Sequence, residues 1–362
     1  MNFADYLTQK LPAVEAEIMR GLPAAPAAPA APATPAAVAA SPAATSAPSE
    51  RTRADLNAYL YQPLAHFSAG GGKRVRPVLC CLGAEAVGGS AEAALPVACA
   101  IEDFQSAALI HDDIADKSEL RRGEKCLYKT LGTGLAINVG DSALVNVVRR
   151  VTVADHLSDQ LKVRVIDALL AMQEHTLEGQ ALDLGWAQNE RWDVTSEQYL
   201  FMALSKTAYY SAAYPLVLGA LIGGADQKTL DALKDFGLKV GLAFQLQDDL
   251  LNLVGNAQVQ GKDFRSDIIE GKRTLAVVYA LEHLGPAEKT ELVSILSAHT
   301  GDTLKLQRAV ELMESANAIK FVRTHALALV DEAKHVLENV ILTKDARDTL
   351  LSMADFFVNR ER

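Results

Sequence analysis

Hydrophobic residues in the C-terminal part of the chain recur at intervals of three and four, and strand-like alternation is scarce throughout. The clearest stretch has apolar side chains at Ala326, Leu329, Val330, Ala333, Val336, Leu337 and Val340. That spacing puts them on one face of a helix and predicts that this face is buried. Because Ala and Leu are also abundant and aromatic residues make up only 6%, we expect an all-α fold.

The longest apolar run covers 208–225 and, at 18 residues, reaches the lower limit for a membrane span. It contains three tyrosines and Pro215. We therefore expect a buried central helix here and no stable membrane insertion.

The segment from Pro23 to Pro48 is rich in alanine, low in complexity and interrupted by proline. Such frequent prolines prevent a continuous helix, and the segment has little apolar surface to bury. We predict three parts: a short amphipathic helix within 1–22, a disordered linker over 23–49 and one large domain over 50–362. Whether the linker is a spacer or a tail that binds a partner is open at this point.

Composition narrows the class of protein. With 362 residues and 49% hydrophobic content, the chain can bury one large core or two modest ones. Its net charge of −10 argues against nucleic acid as a partner, because a phosphate backbone requires basic surface. The four cysteines have no CxxC pair and no metal-binding spacing. We interpret them as small buried residues in a reducing compartment, by default the cytoplasm.

Two clusters of aspartates carry the chemistry, HDDIAD at 111–116 and QLQDDLLN at 245–252. Asp112 and Asp116 are four residues apart, so on a helix their carboxylates lie on one face about one turn from each other. Like charges beside apolar neighbours are costly unless a cation lies between them. Mg²⁺ suits such a place, since it binds one or two carboxylates and takes its other ligands from water and phosphate. A solvated acidic face is the simpler alternative, which the presence of two clusters disfavours.

The second cluster supplies Asp248 and Asp249 in the same way, but its fifth position is Asn252. An amide offers a neutral carbonyl oxygen and no charge, so we expect this helix to hold its metal more weakly. His111 neighbours the first cluster, yet the carboxylates already account for a metal site, and the other histidines lack the spacing typical of zinc.

Basic motifs surround the two clusters. GGGKRVRP at 70–77 has glycines that let the backbone approach a ligand closely, and Lys73, Arg74 and Arg76 can donate to phosphate. It lacks the Gly-Lys-Ser/Thr ending of a nucleotide-binding P-loop. Further cations stand at Arg121, Arg122, Lys206, Lys262 and Lys272. Each alone is typical of a solvated surface charge, but beside two metal clusters they indicate a site for phosphorylated ligands.

The order GGGKRVRP, HDDIAD with ELRRG, Lys206-Thr207, FQLQDDLLN and GKDFRSDIIEGKRT resembles the trans-isoprenyl (polyprenyl) diphosphate synthases over about residues 55–362. The resemblance implies the isoprenoid synthase fold, a single large helical bundle with a central cavity, and makes 50–362 the catalytic domain. It also implies two Asp-rich motifs that face each other across the cavity mouth and hold three Mg²⁺, and a homodimer. The substrates implied are isopentenyl diphosphate and an allylic prenyl diphosphate.

The same resemblance assigns the site residues to the two substrates and the metal. It assigns the isopentenyl diphosphate site to Lys73, Arg76, Arg122 and Gln105. Many members have His in place of Gln105, whose amide can donate to phosphate but carries no charge. It assigns the allylic site to Arg121, Lys206, Thr207, Gln245, Lys262 and Lys272. It assigns the metal to Asp112, Asp116 and Asp248, which together with Lys206 are expected to carry catalysis.

The expected reaction is a Mg-dependent head-to-tail condensation. Cations withdraw charge from the allylic diphosphate, so its C–O bond breaks and a delocalised carbocation forms. The double bond of isopentenyl diphosphate attacks that cation, and loss of a proton gives an all-trans prenyl diphosphate five carbons longer, with pyrophosphate released. This chemistry requires no side-chain nucleophile and no histidine base.

Product length is expected to depend on the helix that carries the first cluster. Residues four, five and eight positions before Asp112, deeper on the same face, are Ala108, Ala107 and Phe104. In the family, bulky aromatics at the first two positions stop growth at ten or fifteen carbons. Because both are alanine here, Phe104 is the first ring that could form a floor, and we predict a product of twenty carbons or longer.

Two rival functions are considered. A class I terpene cyclase would share the fold and the first cluster, but it would ordinarily carry an Asn/Ser/Glu metal motif in place of QLQDDLLN and would not need GGGKRVRP. A non-catalytic regulatory subunit of a prenyl synthase would be expected to lose ligands, whereas only Gln105 and Asn252 depart from the pattern.

Overall fold

The computed structural model describes residues 1–26, 48–255 and 264–359. Within these ranges the regular structure is helical apart from one antiparallel hairpin, whose strands are β1 (Leu120–Arg121) and β2 (Glu124–Lys125). The prediction of an all-α fold is confirmed. The predicted linker falls mostly on 27–47 and lies outside the described residues.

Most helices are α-helices, and two segments, named π1 and π2, have the wider π-helical turn. The first half contains α1 (Phe3–Arg20), α2 (Glu50–Leu56), π1 (Asn57–Tyr61), α3 (Gln62–Ala69), α4 (Val75–Ala86), α5 (Ala91–Ala115), α6 (Leu127–Leu131) and α7 (Thr133–Thr152). The second half contains α8 (Asp159–Gln188), α9 (Ser196–Ala203), π2 (Leu204–Ala213), α10 (Tyr214–Ile222), α11 (Gln227–Val254), α12 (Ser266–Ile269), α13 (Leu275–His283), α14 (Pro286–Ser297), α15 (Thr303–Ser315), α16 (Ala318–Glu338) and α17 (Lys344–Asn359).

The described chain forms two compact units. The first unit is made of Met1–Leu11, Val75–Ala98 and His156–Arg362, and the second of Pro12–Arg74 and Cys99–Asp155.

In the first unit, α11 is the central helix and packs against π2 and α16. Its N-terminus is fixed by Asp226, whose side chain accepts a hydrogen bond from the backbone N–H of Thr229. Phe236 and Val240 on α11 are fully buried. On α16 the predicted apolar face is buried, including Val330 and Leu337. These contacts fix the long helix that presents the second aspartate cluster.

The second unit is built around the C-terminal part of α5. Ala107 and Ile110 on that helix pack against α7 residues Ala136 and Val139 in one apolar cluster. A buried polar contact adds to this packing, because Arg150 on α7 donates to the carboxylate of Asp103 on α5.

The end of α1 is attached to the second unit through the same arginine. The Nη1 and Nη2 atoms of Arg150 donate to the backbone carbonyls of Glu17 and Ile18, at 3.1 and 2.9 Å. Val14 and Ile18 are buried. The helix that precedes the alanine- and proline-rich segment is therefore docked in the folded chain.

Among the described residues, α5 is the one helix long and apolar enough to cross a membrane, by length and composition alone, and 67% of its most apolar window is buried. Burial to this extent is typical of a core helix. The apolar run over 208–225, for which a buried helix was predicted, forms the end of π2 and α10, where Ala212, Leu216 and Leu218 are fully buried.

Candidate active site

The first aspartate cluster lies at the C-terminal end of α5. Asp112 is in the last turn, and the backbone N–H of Asp116 donates to the carbonyl of Asp112 at 2.8 Å, so the two residues are one turn apart, as the spacing predicts. Asp112 is half-buried and Asp116 is exposed. The C-terminal end of a helix carries a partial negative charge, which adds to the repulsion between the carboxylates and favours a bound cation.

The middle aspartate of this cluster positions an arginine. Asp113 is only 1% exposed, and its Oδ1 accepts hydrogen bonds from Nε and Nη2 of Arg121 at 2.9 and 2.6 Å. Two donors of one guanidinium on a buried carboxylate fix the direction of the side chain. Arg121, assigned by resemblance to the allylic site, is therefore held beside the metal cluster.

Arg122 is displayed by the tight turn of the hairpin. Arg122 and Gly123 have φ of 53° and 86°, the two positive values required by the turn that best joins neighbouring strands. The Arg122 guanidinium lies 5.7 Å from the ring centre of Phe67 and donates to the Phe67 carbonyl at 3.4 Å. A cleft of about 180 Å³ opens at this point, lined in part by Arg121, Arg122 and Lys125.

Two neighbouring cations of the glycine-rich loop before α4 lie in different environments. Lys73 is exposed, whereas the side chain of Arg74 is fully buried. Arg74 donates from Nε to Glu15 at 2.8 Å, from Nη1 to Glu102 at 2.6 Å and from Nη2 to the Ser68 carbonyl at 2.6 Å. Sequence alone suggested that Arg74 binds phosphate; its partners instead give it a structural role, and Lys73 is the exposed cation of the pair.

Gln105 also lies on α5. It is half-buried, and its Oε1 atom is buried without a hydrogen-bond partner among the described residues. The Nε2 atom of the same amide is the one that can donate to phosphate.

The three candidates for control of product length differ in exposure. Ala107 is fully buried inside the apolar cluster with α7, Phe104 is 3% exposed, and Ala108 is half-buried.

Two neighbouring allylic candidates on π2, Lys206 and Thr207, have separate hydrogen-bond partners. The ammonium group of Lys206, on π2, pairs with the carboxylate of Asp183 on α8. The next residue, Thr207, donates from Oγ1 to Oε1 of Gln245 at 2.9 Å, and Gln245 donates from Nε2 to Oδ1 of Asp249 at 2.7 Å. π-Helical segments are rare and occur often at functional sites.

The two aspartates of the second pair, Asp248 and Asp249, lie in different environments. Asp249 is buried and accepts a further hydrogen bond from the Tyr199 hydroxyl at 2.5 Å. Burial, with the negative charge of Asp267, raises the pKa of Asp249 to about 7, against the effect of its hydrogen bonds. Asp248 is half-buried. This difference agrees with the assignment of Asp248, and not Asp249, to the metal.

Two glycines allow π2 to lie close to its neighbours. A Cβ atom at Gly179 on α8 would stand 2.2 Å from the backbone nitrogen of Lys206, and one at Gly237 on α11 would stand 2.4 Å from the Cα atom of Ala213. Any side chain at either position would push π2 away from its supporting helices.

Asn252, the fifth position of the second cluster, has structural partners. Its Nδ2 donates to Oγ of Ser266 at 2.9 Å, and its Oδ1 accepts from the backbone N–H of Asp267 at 3.2 Å. Lys272 pairs with Asp267 and Glu270, at 3.1 and 2.8 Å. Lys262, also assigned to the allylic site, lies outside the described residues.

The carboxylates of the two aspartate clusters suit a magnesium ion that takes its remaining ligands from water and phosphate. Among the described residues no group of three or more His, Cys, Asp or Glu side chains is gathered as a metal site. Asp112 and Asp116 could supply hard oxygen ligands at the end of α5, and Asp248 could supply one on α11. Mg²⁺ typically binds in this way and takes its remaining ligands from water and substrate phosphates.

Sequence reasoning missed Asp183 and Tyr199, which hold Lys206 and Asp249. Asp183 offered no local signal, because its partner Lys206 is 23 residues away in the chain. Tyr199 gave no local signal, since its partner is 50 residues away in the chain.

Comparisons with known proteins identify the family. The family model described as Polyprenyl synthetase matches residues 57–313. A short chain isoprenyl diphosphate synthase of Methanothermobacter thermautotrophicus is 41% identical over 82% of this chain and 89% of its own length. The crystal structure of a geranylgeranyl pyrophosphate synthetase of Pyrococcus horikoshii superposes with a TM-score of 0.83 at 29% identity, over 99% of this chain and 98% of that one.

A further crystal structure bears on the ligands. The geranylgeranyl pyrophosphate synthase of Corynebacterium glutamicum, complexed with isoprenyl diphosphate and magnesium, matches with a TM-score of 0.77 at 28% identity, over 98% of this chain and 97% of that one. The order of motifs, the helical fold and these relatives agree. The chain belongs to the polyprenyl synthetase family and is a prenyltransferase.

Proposed function

We propose that this prenyltransferase condenses isopentenyl diphosphate with an allylic prenyl diphosphate, uses Mg²⁺, and releases an all-trans product of twenty carbons or longer. The main support is the set of contacts that joins Lys206 to Asp183, and Thr207 through Gln245 to Asp249. The segment π2 therefore carries a cation next to a hydroxyl that is linked through Gln245 to the second aspartate pair, and a cation of this kind can bind a diphosphate.

The residues divide the reaction between them. Lys206 and Arg121, each held by an aspartate, stabilise the negative charge that builds up on the allylic diphosphate as its C–O bond breaks. Lys73, Arg76 and Arg122 bind the diphosphate of isopentenyl diphosphate, whose double bond forms the new C–C bond with the allylic cation. The departing pyrophosphate keeps the electron pair of the broken bond and accepts the proton released from the new chain.

Asp112, Asp116 and Asp248 would hold the metal, for which we propose three Mg²⁺ ions. When bound, the ions supply Lewis-acid stabilisation of the leaving pyrophosphate. The protein contributes by fixing Asp112 and Asp116 at the end of α5, where their mutual repulsion favours cation binding.

For product length, we propose that Ala108 and Phe104 matter more than Ala107. The methyl group of Ala107 is enclosed by Ala136 and Val139, so it has no surface to offer a growing chain. Ala108 is half-buried and leaves the first turn below the aspartates open. Phe104, eight residues before Asp112, is the first aromatic ring on that face.

We propose a homodimer through α8. Three apolar side chains spaced seven residues apart on this helix are exposed, Val163 by 67%, Leu170 by 52% and Leu177 by 64%. This spacing forms one stripe, the pattern that packs against another helix. Sedimentation should give a dimer, and Leu170→Glu should release monomers. Leu304→Glu, at an exposed leucine on α15, should not, and a wild-type monomer would overturn the proposal.

We also propose a cytoplasmic, reducing location, in keeping with four buried cysteine thiols and no disulfide among them. Fractionation of the cells that express the chain would test it. Recovery of the protein from an oxidising compartment, with disulfides formed, would contradict the proposal.

The decisive experiment incubates the purified protein with isopentenyl diphosphate, Mg²⁺ and, separately, dimethylallyl, geranyl or farnesyl diphosphate. Product masses are read after dephosphorylation, and a ladder that ends at twenty carbons or beyond is expected. Asp116→Asn should abolish it, whereas Asp348→Asn, at an exposed aspartate of α17, should not. Folded protein that elongates no starter would favour a regulatory subunit, and cyclised hydrocarbons would favour a terpene cyclase.

A further inference from the structure

Arg76, on α4, contacts two consecutive residues of π2. Its guanidinium carbon lies 4.2 Å from the ring centre of Tyr210, and its Nη2 donates to Oγ of Ser211 at 2.8 Å. The Nε atom of Arg76 is buried and has no hydrogen-bond partner among the described residues. One face and one donor of the guanidinium are thus fixed by the protein, which determines where its other donors point.

The segment π2 therefore carries allylic candidates and also contacts Arg76. Lys206 and Thr207, assigned to the allylic site, lie on the same ten-residue segment as Tyr210 and Ser211. Ser211 is only 4% exposed, so its hydroxyl cannot turn to bulk water. Tyr209, the residue before Tyr210, is directed elsewhere and stacks on His175 at 3.9 Å.

We propose that Tyr210 and Ser211 are positioning residues for Arg76, so that the segment which carries the allylic ligands also directs the cation for isopentenyl diphosphate. This rests on the function proposed above. A planar guanidinium stacked on an aromatic ring retains its fork of donors in one plane, which a flexible cation does not. Because Tyr210 and Ser211 would act through Arg76, their loss should weaken the binding of isopentenyl diphosphate and leave that of the allylic starter unchanged.

The test measures KM separately for isopentenyl diphosphate and for the allylic starter. Tyr210→Leu removes the ring and should raise KM for isopentenyl diphosphate about tenfold, the size expected for a partly buried cation–π contact. Tyr210→Phe retains the ring and should restore the wild-type value. Ser211→Ala should raise the same KM by about threefold to tenfold, as loss of one hydrogen bond does. KM for the starter should change less than twofold, which is less than the loss of one hydrogen bond would cause.

Tyr209→Leu is the matched control, since it removes a neighbouring ring that does not contact Arg76. In an Arg76→Gln background, Tyr210→Leu should have no further effect on KM for isopentenyl diphosphate. Equal rises in both KM values, or full additivity with Arg76→Gln, would overturn the proposal.

Two other results are informative. An unchanged KM in Arg76→Gln itself would also overturn the proposal, because Arg76 would then bind no substrate. Wild-type protein that elongates no starter would instead refute the proposed function, and that result is obtained before any variant is made.

Discussion

The ammonium group of Lys206 lies against the carboxylate of Asp183, which comes from another helix and stands 23 residues earlier in the chain. Both side chains are partly buried, 30% and 20% exposed. A flexible lysine side chain loses rotamer entropy when a ligand immobilises it. Asp183 has already restricted it, so the ammonium group is directed before an allylic diphosphate arrives.

Asp183→Asn should lower kcat/KM for the allylic substrate by about tenfold, the scale of one charge-assisted hydrogen bond. Asp183→Glu should recover part of the loss, because it restores the charge. The matched control is Asp235→Asn, which breaks the Lys239–Asp235 pair within α11 and should cost almost nothing. If both variants behave alike in steady-state kinetics, Lys206 does not depend on Asp183.

The difference between the two pairs explains what sequence could predict. Asp235 and Lys239 are four residues apart on α11, so their contact can be predicted from the sequence alone. The same local rule placed Asp112 and Asp116 one turn apart, and the three- and four-residue repeat located α16. Contacts between separate helices, such as Asp183 with Lys206, depend on which faces meet, and no local spacing encodes that.

Arg74 and Arg76 illustrate the same limit. They are chemically identical and two residues apart in one motif, yet Arg74 is enclosed by Glu15 and Glu102, and Arg76 is gripped by π2. The π-helical turn of π2 is also invisible to a search for a 3.6-residue period. The sequence therefore predicted the fold class, while the supports of the site residues had to be read from the structure.

The close approach of α8 to π2 yields a second prediction. Gly179→Ala would place a Cβ atom 2.2 Å from the Lys206 backbone nitrogen, so π2 must shift, at a cost of about 1–3 kcal/mol of stability. Activity should fall further than stability, because Lys206 and Thr207 move with π2.

Gly185→Ala, on the same helix, is the control for this change. A Cβ atom there meets nothing within 4 Å, and alanine should stabilise the helix by about 0.5–1 kcal/mol. Urea denaturation and steady-state activity measure both effects. An active, stable Gly179→Ala variant would show that π2 can yield without loss of function.

The buried Arg74 network predicts a stability effect. Arg74→Ala leaves Glu102, which is 4% exposed, without the arginine that compensates its charge, and removal of one partner from a buried pair costs about 3–5 kcal/mol. Arg20→Ala, which removes an arginine side chain that is 73% exposed from its pair with Glu17, should cost less than about 1 kcal/mol. Urea denaturation compares the two, and equal losses would mean that Arg74 does not anchor the loop.

Phe104 offers the test of product length. Phe104→Ala opens the second turn below Asp112 and should shift the product distribution toward longer chains, although loss of a buried ring also costs about 3–5 kcal/mol. Phe357→Ala separates the two effects, because Phe357 is 2% exposed and packs against Phe3 at a ring distance of 6.0 Å. It should lower stability without changing the product. Product masses at matched folded fractions decide the matter: an unchanged ladder in Phe104→Ala would place the floor at another residue, and a longer one in both variants would mean that general loosening of the core, and not this ring, sets chain length.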